Sequence, residues 1–355
     1  MFFAKDFIET AEGLIFAVVG QSMEQDKVLC FLRYVPHQQG WRKVDTDAAN
    51  AFLKQHHPHY LHYSPILDVS LHAVDQPKII KHHRPKNRLQ QLLNADSHDA
   101  VEQDLFNLAK LFQQHGLDLA NIGITGSLLI GAQRYGSDID VVCYGREVFH
   151  LCRAVTTKLI EQGQLQNLTE QDWQQSYQRR DCDLSFAEYV WHEQRKANKA
   201  IINGRKFDLN FIDDCMESLP RFTEHAGGTT PRMEEVEQRK EQLPRTPKVG
   251  ADATQGAVAD DRAVGDFDEY QKIGPINLQC QVIDDTYGFD YPAELKIDHE
   301  HIDSIISFTA TYTGQALRGE TVQVSGMLEQ SSQGRKRIIV GSSREARGEF
   351  IKVVQ

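Results

Sequence analysis

The pair Gly126-Ser127 is followed, about ten residues later, by Asp138-Ile139-Asp140, and a further carboxylate lies in Lys206-Phe207-Asp208-Leu209-Asn210. On a strand, residues i and i+2 share a face, so Asp138 and Asp140 converge roughly 7 Å apart along the backbone while Ile139 turns into the core. Two carboxylates held that way repel unless something positive lies between them. A pair of divalent ions about 3.5–4 Å apart answers the repulsion and serves in-line displacement at phosphorus. Mg²⁺ (or Mn²⁺) suits such a site, since Mg²⁺ takes a few carboxylates and completes its shell with phosphate oxygens. Gly126 lets the backbone approach a phosphate, and Ser127 adds a hydroxyl and an N–H at a helix N-terminus. With Phe207, Leu209 and Phe211 facing inward, Asp208 and Asn210 share the opposite face, and Asp208 supplies the third acid.

The elements that must hold these groups can be read around them. Ile122–Thr125 reads as a short strand, the Gly-Ser turn as the start of a short helix, and Asp138–Val142 as a second strand. A helix with Val101, Leu105, Leu108 and Phe112 on one stripe precedes them, capped by Ser97 or Asp99. Another spans Ser185–Ala200, opened by the capping box Ser185/Glu188. Asn203-Gly204 then predicts a hairpin between Ala200–Ile202 and Lys206–Ile212.

This layout resembles the DNA polymerase beta-like nucleotidyltransferase superfamily: a Gly-Ser pair, a spacer, an acidic-apolar-acidic triplet and a later acidic strand residue. The resemblance covers about 100 residues. It implies that Asp138 and Asp140 bind two metal ions, that Asp208 completes the catalytic one, and that an NTP is the donor. The implied reaction moves a nucleoside monophosphate to an acceptor hydroxyl, and the two flanking domains, either of which could grip a polymer, favour a nucleic-acid 3′ end. A protein hydroxyl receiving AMP is the main rival acceptor, a small molecule comes third, and an inactive nucleotide-binding scaffold is the alternative outside catalysis.

Around this core the chain divides by composition. Residues 1–95 read as a small α+β domain, with strands at Gly13–Gly20, Val28–Val35 and Ile66–Val74 and a helix at Thr46–Gln55. Residues 96–225 hold the transferase core. Residues 226–268, rich in Gly, Pro, Ala and Asp, read as a linker with a short helix near Met233–Gln242. Residues 269–355 alternate apolar and polar (Ile276 to Val282, Ile306 to Tyr312, Val322 to Leu328), which predicts antiparallel strands in a small barrel, and Tyr312–Val322 resembles the strand-turn-strand of OB-like barrels. The fold class expected is α+β.

Cations offer further candidates. Arg134 and Ser137 within the signature, and Arg195, Lys196 and Lys199 before the Asp208 strand, are placed to hold a triphosphate; the bland reading of the latter three is charge complement to a helix C-terminus. Lys78, Lys81, His82, His83, Arg84, Lys86 and Arg88 form a dense basic run suited to RNA or DNA, or else a solvated face. His56, His57, His59 and His62 suggest metal, but they lack paired helical spacing with a nearby cysteine or carboxylate, which weighs against a metal site.

The formal net charge of −11 argues against broad nucleic-acid binding, which needs cations to displace counterions, yet permits a local groove. Six cysteines without a C-x-x-C pair read as reduced thiols. No apolar run approaches the roughly 20 residues of a membrane span, and no leader is recognisable, so the expected compartment is the cytoplasm.

Overall fold

The architecture comes from a computed structural model that describes residues 1–38, 40–65, 69–180, 182–214, 270–342 and 346–354. Contacts divide the chain into two units, Met1–Glu217 with Glu269–Gln355, and Ser218–Asp268. The second unit, and with it the expected linker and the helix near Met233, lies outside the described residues.

The chain opens with β1 (Phe7–Thr10), β2 (Ile15–Glu24), β3 (Lys27–His37) and β4 (Gly40–Lys43). Helix α1 (Thr46–His56), capped by the Asp45 carboxylate, leads to β5 (Leu61–Ser64), β6 (Val69–Asp75) and β7 (Ile79–His83). The strands form one sheet in the order β5-β6-β3-β2-β1-β7, with β4 alongside β3. The β2–β3 pair and α1 stand where sequence placed them. The predicted strand at Ile66–Val74 is β6, from Val69; residues 66–68 are outside the description. The short strands β1, β4 and β7 carry too few alternations to announce themselves.

The central layer follows: α2 (Pro85–Leu93), α3 (Ala100–Gln114), β8 (Ile122–Thr125), β9 (Ile139–Tyr144), α4 (Arg146–Glu161), α5 (Glu170–Gln178), α6 (Phe186–Arg195), β10 (Lys199–Ile202) and β11 (Arg205–Ile212). Asp99, not Ser97, caps α3, in a capping box with Glu102. Helix α6 stops five residues earlier than read. Lys196 is its C-cap, Ala197 takes φ +47°, and Lys199 begins a strand that pairs with β11. That hairpin, turning at Asn203-Gly204, is the one sequence predicted.

The four strands lie in the order β10-β11-β9-β8, with β9 and β11 parallel. One face is apolar: Ile139, Val141 and Cys143 of β9 and Phe207, Leu209 and Phe211 of β11 pack with Leu105, Phe112, Phe149 and Val155 of the helices. Burying each such large side chain contributes about 1.5–3 kcal/mol, so the register of this sheet is firmly set. The other face carries Asp140 and Asp208, and beyond them Val142, Tyr144 and Ile212 pack against Phe3 and Ala4 of the N-terminal segment.

The C-terminal strands are β12 (Tyr270–Asp284), β13 (Ala293–Asp298), β14 (Ser304–Ser307), β15 (Thr321–Ser331), β16 (Lys336–Val340) and β17 (Phe350–Val353). Pairing runs β12-β13-β14-β16-β15-β17, and β12 also pairs along β15, so the path returns to its first strand. The stretch 306–312 is not the predicted strand: β14 ends at Ser307 and a turn follows, with Gly314 at φ +65° against the Phe289 ring. Apolar residues of this sheet share a core with Trp173, Leu184 and Tyr189 from α5, α6 and their connection. The mixture of separate sheets and helices is α+β. Among the described residues no helix is long and apolar enough to cross a membrane.

Candidate active site

Strand register brings the two distant carboxylates together. Asp208 on β11 lies directly opposite Asp140 on the parallel strand β9, one strand spacing away, about 4.8 Å. Asp138 sits just before β9 begins. On the other side of β9, Thr125, the last residue of β8, is opposite Asp140, and Gly126 comes next.

Gly126 is required here twice over. Its φ is +68°, and a Cβ at this position would run into the Asp140 carboxylate. The turn it opens is a five-residue 3₁₀ turn, Gly126–Ile130, shorter than the helix expected. Arg88 Nε donates to the Leu128 carbonyl of this turn at 2.9 Å, and Leu129 and Ile130 bury against Phe7, Ile15 and Tyr34 of the N-terminal sheet.

Arg205, at the start of β11, fixes the loop into Asp138. Its guanidinium donates to the carbonyls of Tyr135 (2.6 Å) and Ser137 (2.8 Å) and pairs with Asp104 at 2.8 Å. The Ser137 hydroxyl accepts from the Arg134 N–H at 2.9 Å, closing the loop on itself. The Arg134 side chain is exposed. Arg88, read in sequence as part of a nucleic-acid-binding run, instead holds this turn, and Arg205 carries no sequence signal, because each acts on a backbone carbonyl far away in the chain.

The field at the trio is that of crowded, poorly hydrated carboxylates. Burial, and then Asp208, push the Asp140 carboxyl up to about 6. Burial raises Asp138 as well, against the pull of Lys206. Among the described residues none of the three forms an ion pair. Lys5 comes from the N-terminal segment: its carbonyl accepts the Thr125 hydroxyl at 2.7 Å. Burial lowers its ammonium, while Asp140 and Asp208 draw it back up. Lys43 of β4 is likewise lowered by burial and attracted by Asp140 and Asp138. Neither lysine could be found from spacing, since Lys5 lies before β1 and Lys43 in β4, each about a hundred residues upstream.

The other predicted cations divide. Lys199 pairs with Glu193 at 2.8 Å and lies opposite Asp208 in the hairpin. Burial opposes its charge, but Glu193 and then Asp208 hold it above the ordinary lysine range. Lys196 is buried, bonded to Glu193 and to the Thr311 carbonyl at 2.7 Å. Arg195 turns away: it pairs with Glu320 and stacks at 4.1 Å over Trp191.

The basic run is largely spent within the fold. His82 meets Asp6 at 2.7 Å, His83 meets Glu9 at 2.9 Å, Lys86 meets Asp214 at 3.2 Å and Arg88 meets Glu102 at 3.2 Å. Lys81 and Arg84 are the exposed members of its Lys81–Arg88 part. The histidines near 57 do gain a carboxylate that their own stretch lacks. Ligand atoms of Glu12, His57 and His59 lie within 4.8 Å of one another, where a metal could be held.

The nucleotidyltransferase domain family matches residues 107–207, a stretch that contains Gly126, Ser127, Asp138 and Asp140 and ends one residue before Asp208. Over an alignment of 386 positions the chain is 30% identical to an uncharacterized protein of Methanocaldococcus jannaschii, covering 98% of each chain. No solved structure matches the chain. A nucleotidyltransferase by its domain, the chain belongs to the DNA polymerase beta-like nucleotidyltransferase superfamily.

Proposed function

We propose that the protein transfers a nucleoside monophosphate from an NTP to an acceptor hydroxyl, with Asp138, Asp140 and Asp208 as the catalytic trio. The observation that carries this is the Asp140–Asp208 register, with Gly126 pressed against the Asp140 carboxylate. Three carboxylates crowded at one face of the sheet, none of them in an ion pair among the described residues, are a donor set suited to Mg²⁺ or Mn²⁺. When bound, such cations neutralise phosphate charge and ease ionisation of a hydroxyl.

In this reading Gly126 and Ser127 receive the donor phosphates, with Arg134 at the open rim. Asp208 accepts the proton of the acceptor hydroxyl. The acceptor oxygen bonds to the α-phosphorus as the bond to the β-phosphate oxygen breaks, and pyrophosphate leaves. The chain's contribution is chiefly positioning: Arg205 and Arg88 hold the two loops, and β8, β9 and β11 set the spacing.

The flanking regions extend the reading to domains at 1–95, 96–225 and 269–355, joined across 226–268. The C-terminal strands read as an OB-like barrel. What supports this is the pairing path returning to β12 and the one parallel pair, β14 with β16. Such barrels commonly hold oligonucleotides, which favours a nucleic-acid 3′ end as acceptor.

The test is to incubate the protein with Mg²⁺, NTPs labelled at the α-phosphate, and total cellular RNA, DNA and protein. Label should move to one class of molecule, and Asp140→Asn and Asp208→Asn should each reduce transfer at least about a thousandfold. Transfer that survives either substitution sinks the mechanism.

A further inference from the structure

Beyond Asp208 the catalytic face runs into a recess of about 70 Å³. Its walls come from separate stretches: Lys5 before β1, Arg180 after α5, Lys196 and Lys199 at the α6–β10 junction, and Phe289 and Tyr291 from the loop before β13. Four cations therefore face one small space. Glu193 pairs with Lys196 and Lys199, and Asp208 is part of the lining. The Asp290 carboxylate of the same wall is paired with Arg146 at 2.8 Å. Even with Asp140 drawing on Lys5, positive charge remains in excess. A space this small is far below the roughly 300 Å³ of an ordinary ligand pocket, so it takes one compact anionic group. A larger hollow along α5, about 590 Å³, is open, lined by glutamines, Thr169 and Glu170, and offers no cation.

Two further observations mark the recess as built. Lys5 is held at φ +75°, a conformation that side-chain-bearing residues adopt only when their surroundings enforce it. Here the Thr125 hydroxyl clamps its carbonyl and Val18 accepts its N–H at 3.2 Å. The aromatic wall is itself backed by a cation, with the Arg153 guanidinium 4.4 Å over the Phe289 ring.

The Lys199 end of the recess lies on the far side of the trio from the Gly-Ser turn, while Lys5 spans the trio, its carbonyl bonded to Thr125. Gly126 follows β8 at one edge of the sheet, whereas Lys199 is on β10 at the other. Three strand spacings, on the order of 14 Å, separate them. In-line displacement places nucleophile and leaving group on opposite sides of the phosphorus. With donor phosphates at Ser127, an anion in the recess belongs to the acceptor.

We infer that the recess binds a phosphate group of the acceptor, so that the acceptor is a phosphate ester whose free hydroxyl reaches Asp208. A guanidinium with several ammonium groups matches the multiple oxygens of a phosphate. The assignment to an acceptor rests on the transferase reading above; the anion site stands without it. The ester is either a small phosphorylated molecule or the terminal nucleotide of a nucleic acid, which share this chemistry.

Calorimetric titration of the full-length protein with inorganic phosphate, ribose 5-phosphate and a short oligonucleotide tests the inference. All three are compared in wild type, Lys5→Gln, Arg180→Gln, Arg180→Lys and the distant control Lys158→Gln. Phosphate should bind wild type and Lys158→Gln alike, weaken at least tenfold in Lys5→Gln and Arg180→Gln, and recover partly in Arg180→Lys. In the transfer assay Arg180→Gln should raise KM for the acceptor and leave KM for the NTP unchanged. Tighter binding of ribose 5-phosphate supports the small acceptor, and tighter binding of the oligonucleotide the polymer.

Absence of phosphate binding in wild type, or equal binding in all variants, overturns the site. A rise in KM for the NTP instead assigns the recess to the donor and overturns the inference while the transferase reading survives. Asp140→Asn separates the two claims, since it should abolish transfer yet still bind phosphate. If wild type transfers no label to any acceptor while phosphate binding depends on Lys5 and Arg180, the anion site stands and its assignment to an acceptor falls.

Discussion

The basic run 78–88 and the cations around Asp208 carry the same kind of charge to opposite ends. In the run, seven basic residues crowd into eleven positions, yet Lys78, His82, His83, Lys86 and Arg88 each find a carboxylate within the fold. Around Asp208, Lys5, Arg180 and Lys199 are scattered over nearly two hundred residues and face one recess. Charge density along a chain reports only local composition. Charge convergence is set by which strands pair, and here the N-terminal segment crosses the open face of a sheet formed much later in the chain.

Glu193→Gln should break this contrast most severely. Glu193 is buried between Lys196 and Lys199. Burial alone would raise its carboxyl, and the two lysines override it and hold it well below the usual range. Its neutral substitute leaves buried ammonium groups uncompensated, at a cost of about 3–5 kcal/mol in urea unfolding. Lys78→Gln, which removes an exposed pair with Asp75, should cost under about 1 kcal/mol. Equal losses from the two would erase the distinction.

Acid sharpens it from the other side, because the sheet carrying the run depends on neutral histidines. Burial pushes His72 down to about 4. Its Nδ1 accepts the Leu32 N–H at 2.9 Å while Nε2 faces the Asn50 side-chain oxygen at 2.8 Å, an arrangement only the neutral ring can make. Burial lowers His83 too, against the opposing pull of Glu9. A base with a depressed folded pKa binds fewer protons folded than unfolded. Its stabilisation is complete above the unfolded value of about 6.5 and is lost as pH falls towards 4. For His72 this amounts to at most about 3 kcal/mol. Urea midpoints measured from pH 7 to 4.5 should fall, and His72→Gln should flatten the slope.

Gly126→Ala and Gly131→Ala then separate strain from catalytic placement. Both glycines have φ +68°, but a Cβ at 131 meets nothing within 4 Å, whereas one at 126 meets Asp140. Each should lose about 1–2 kcal/mol of stability. Only Gly126→Ala should also lose about a hundredfold in kcat, the effect of a displacement near 1 Å at the reacting centre. Parallel melting curves and initial rates decide it, and matched rates for the two variants would remove Asp140 from the site.

The same division explains what could be read from sequence. Gly126, Asp138 and Asp140 are legible because one turn and one strand hold them within fifteen residues, and local geometry fixes their relation. Asp208 was reachable because the apolar alternation of Phe207, Leu209 and Phe211 shows which face it takes. Lys5 and Arg180 were not, since no period or spacing links them to the trio. The end of α6 was missed because the break is made by Ala197, a residue with high helix propensity held in a left-handed conformation by its tertiary setting. Arg195 looked like a phosphate ligand for the same reason: a helix end is visible in sequence, but Glu320, its partner from the C-terminal strands, is not.

The smallest effect is expected where sequence alone drew most attention. Lys81 and Arg84 are exposed, and Arg84 Nε donates to His82 at 3.2 Å. The double substitution Lys81→Gln with Arg84→Gln removes two charges from the surface without opening a buried pair. Stability should stay within about 0.5 kcal/mol. Transfer to the natural acceptor should keep its kcat and its KM within a factor of about two. If the acceptor is instead a polymer gripped along this strand, each lost phosphate contact weakens binding and flattens its salt dependence by about one unit of slope. A steep salt dependence of acceptor KM that collapses in the double variant would return the run to the site and make the recess at Asp208 one end of a longer groove.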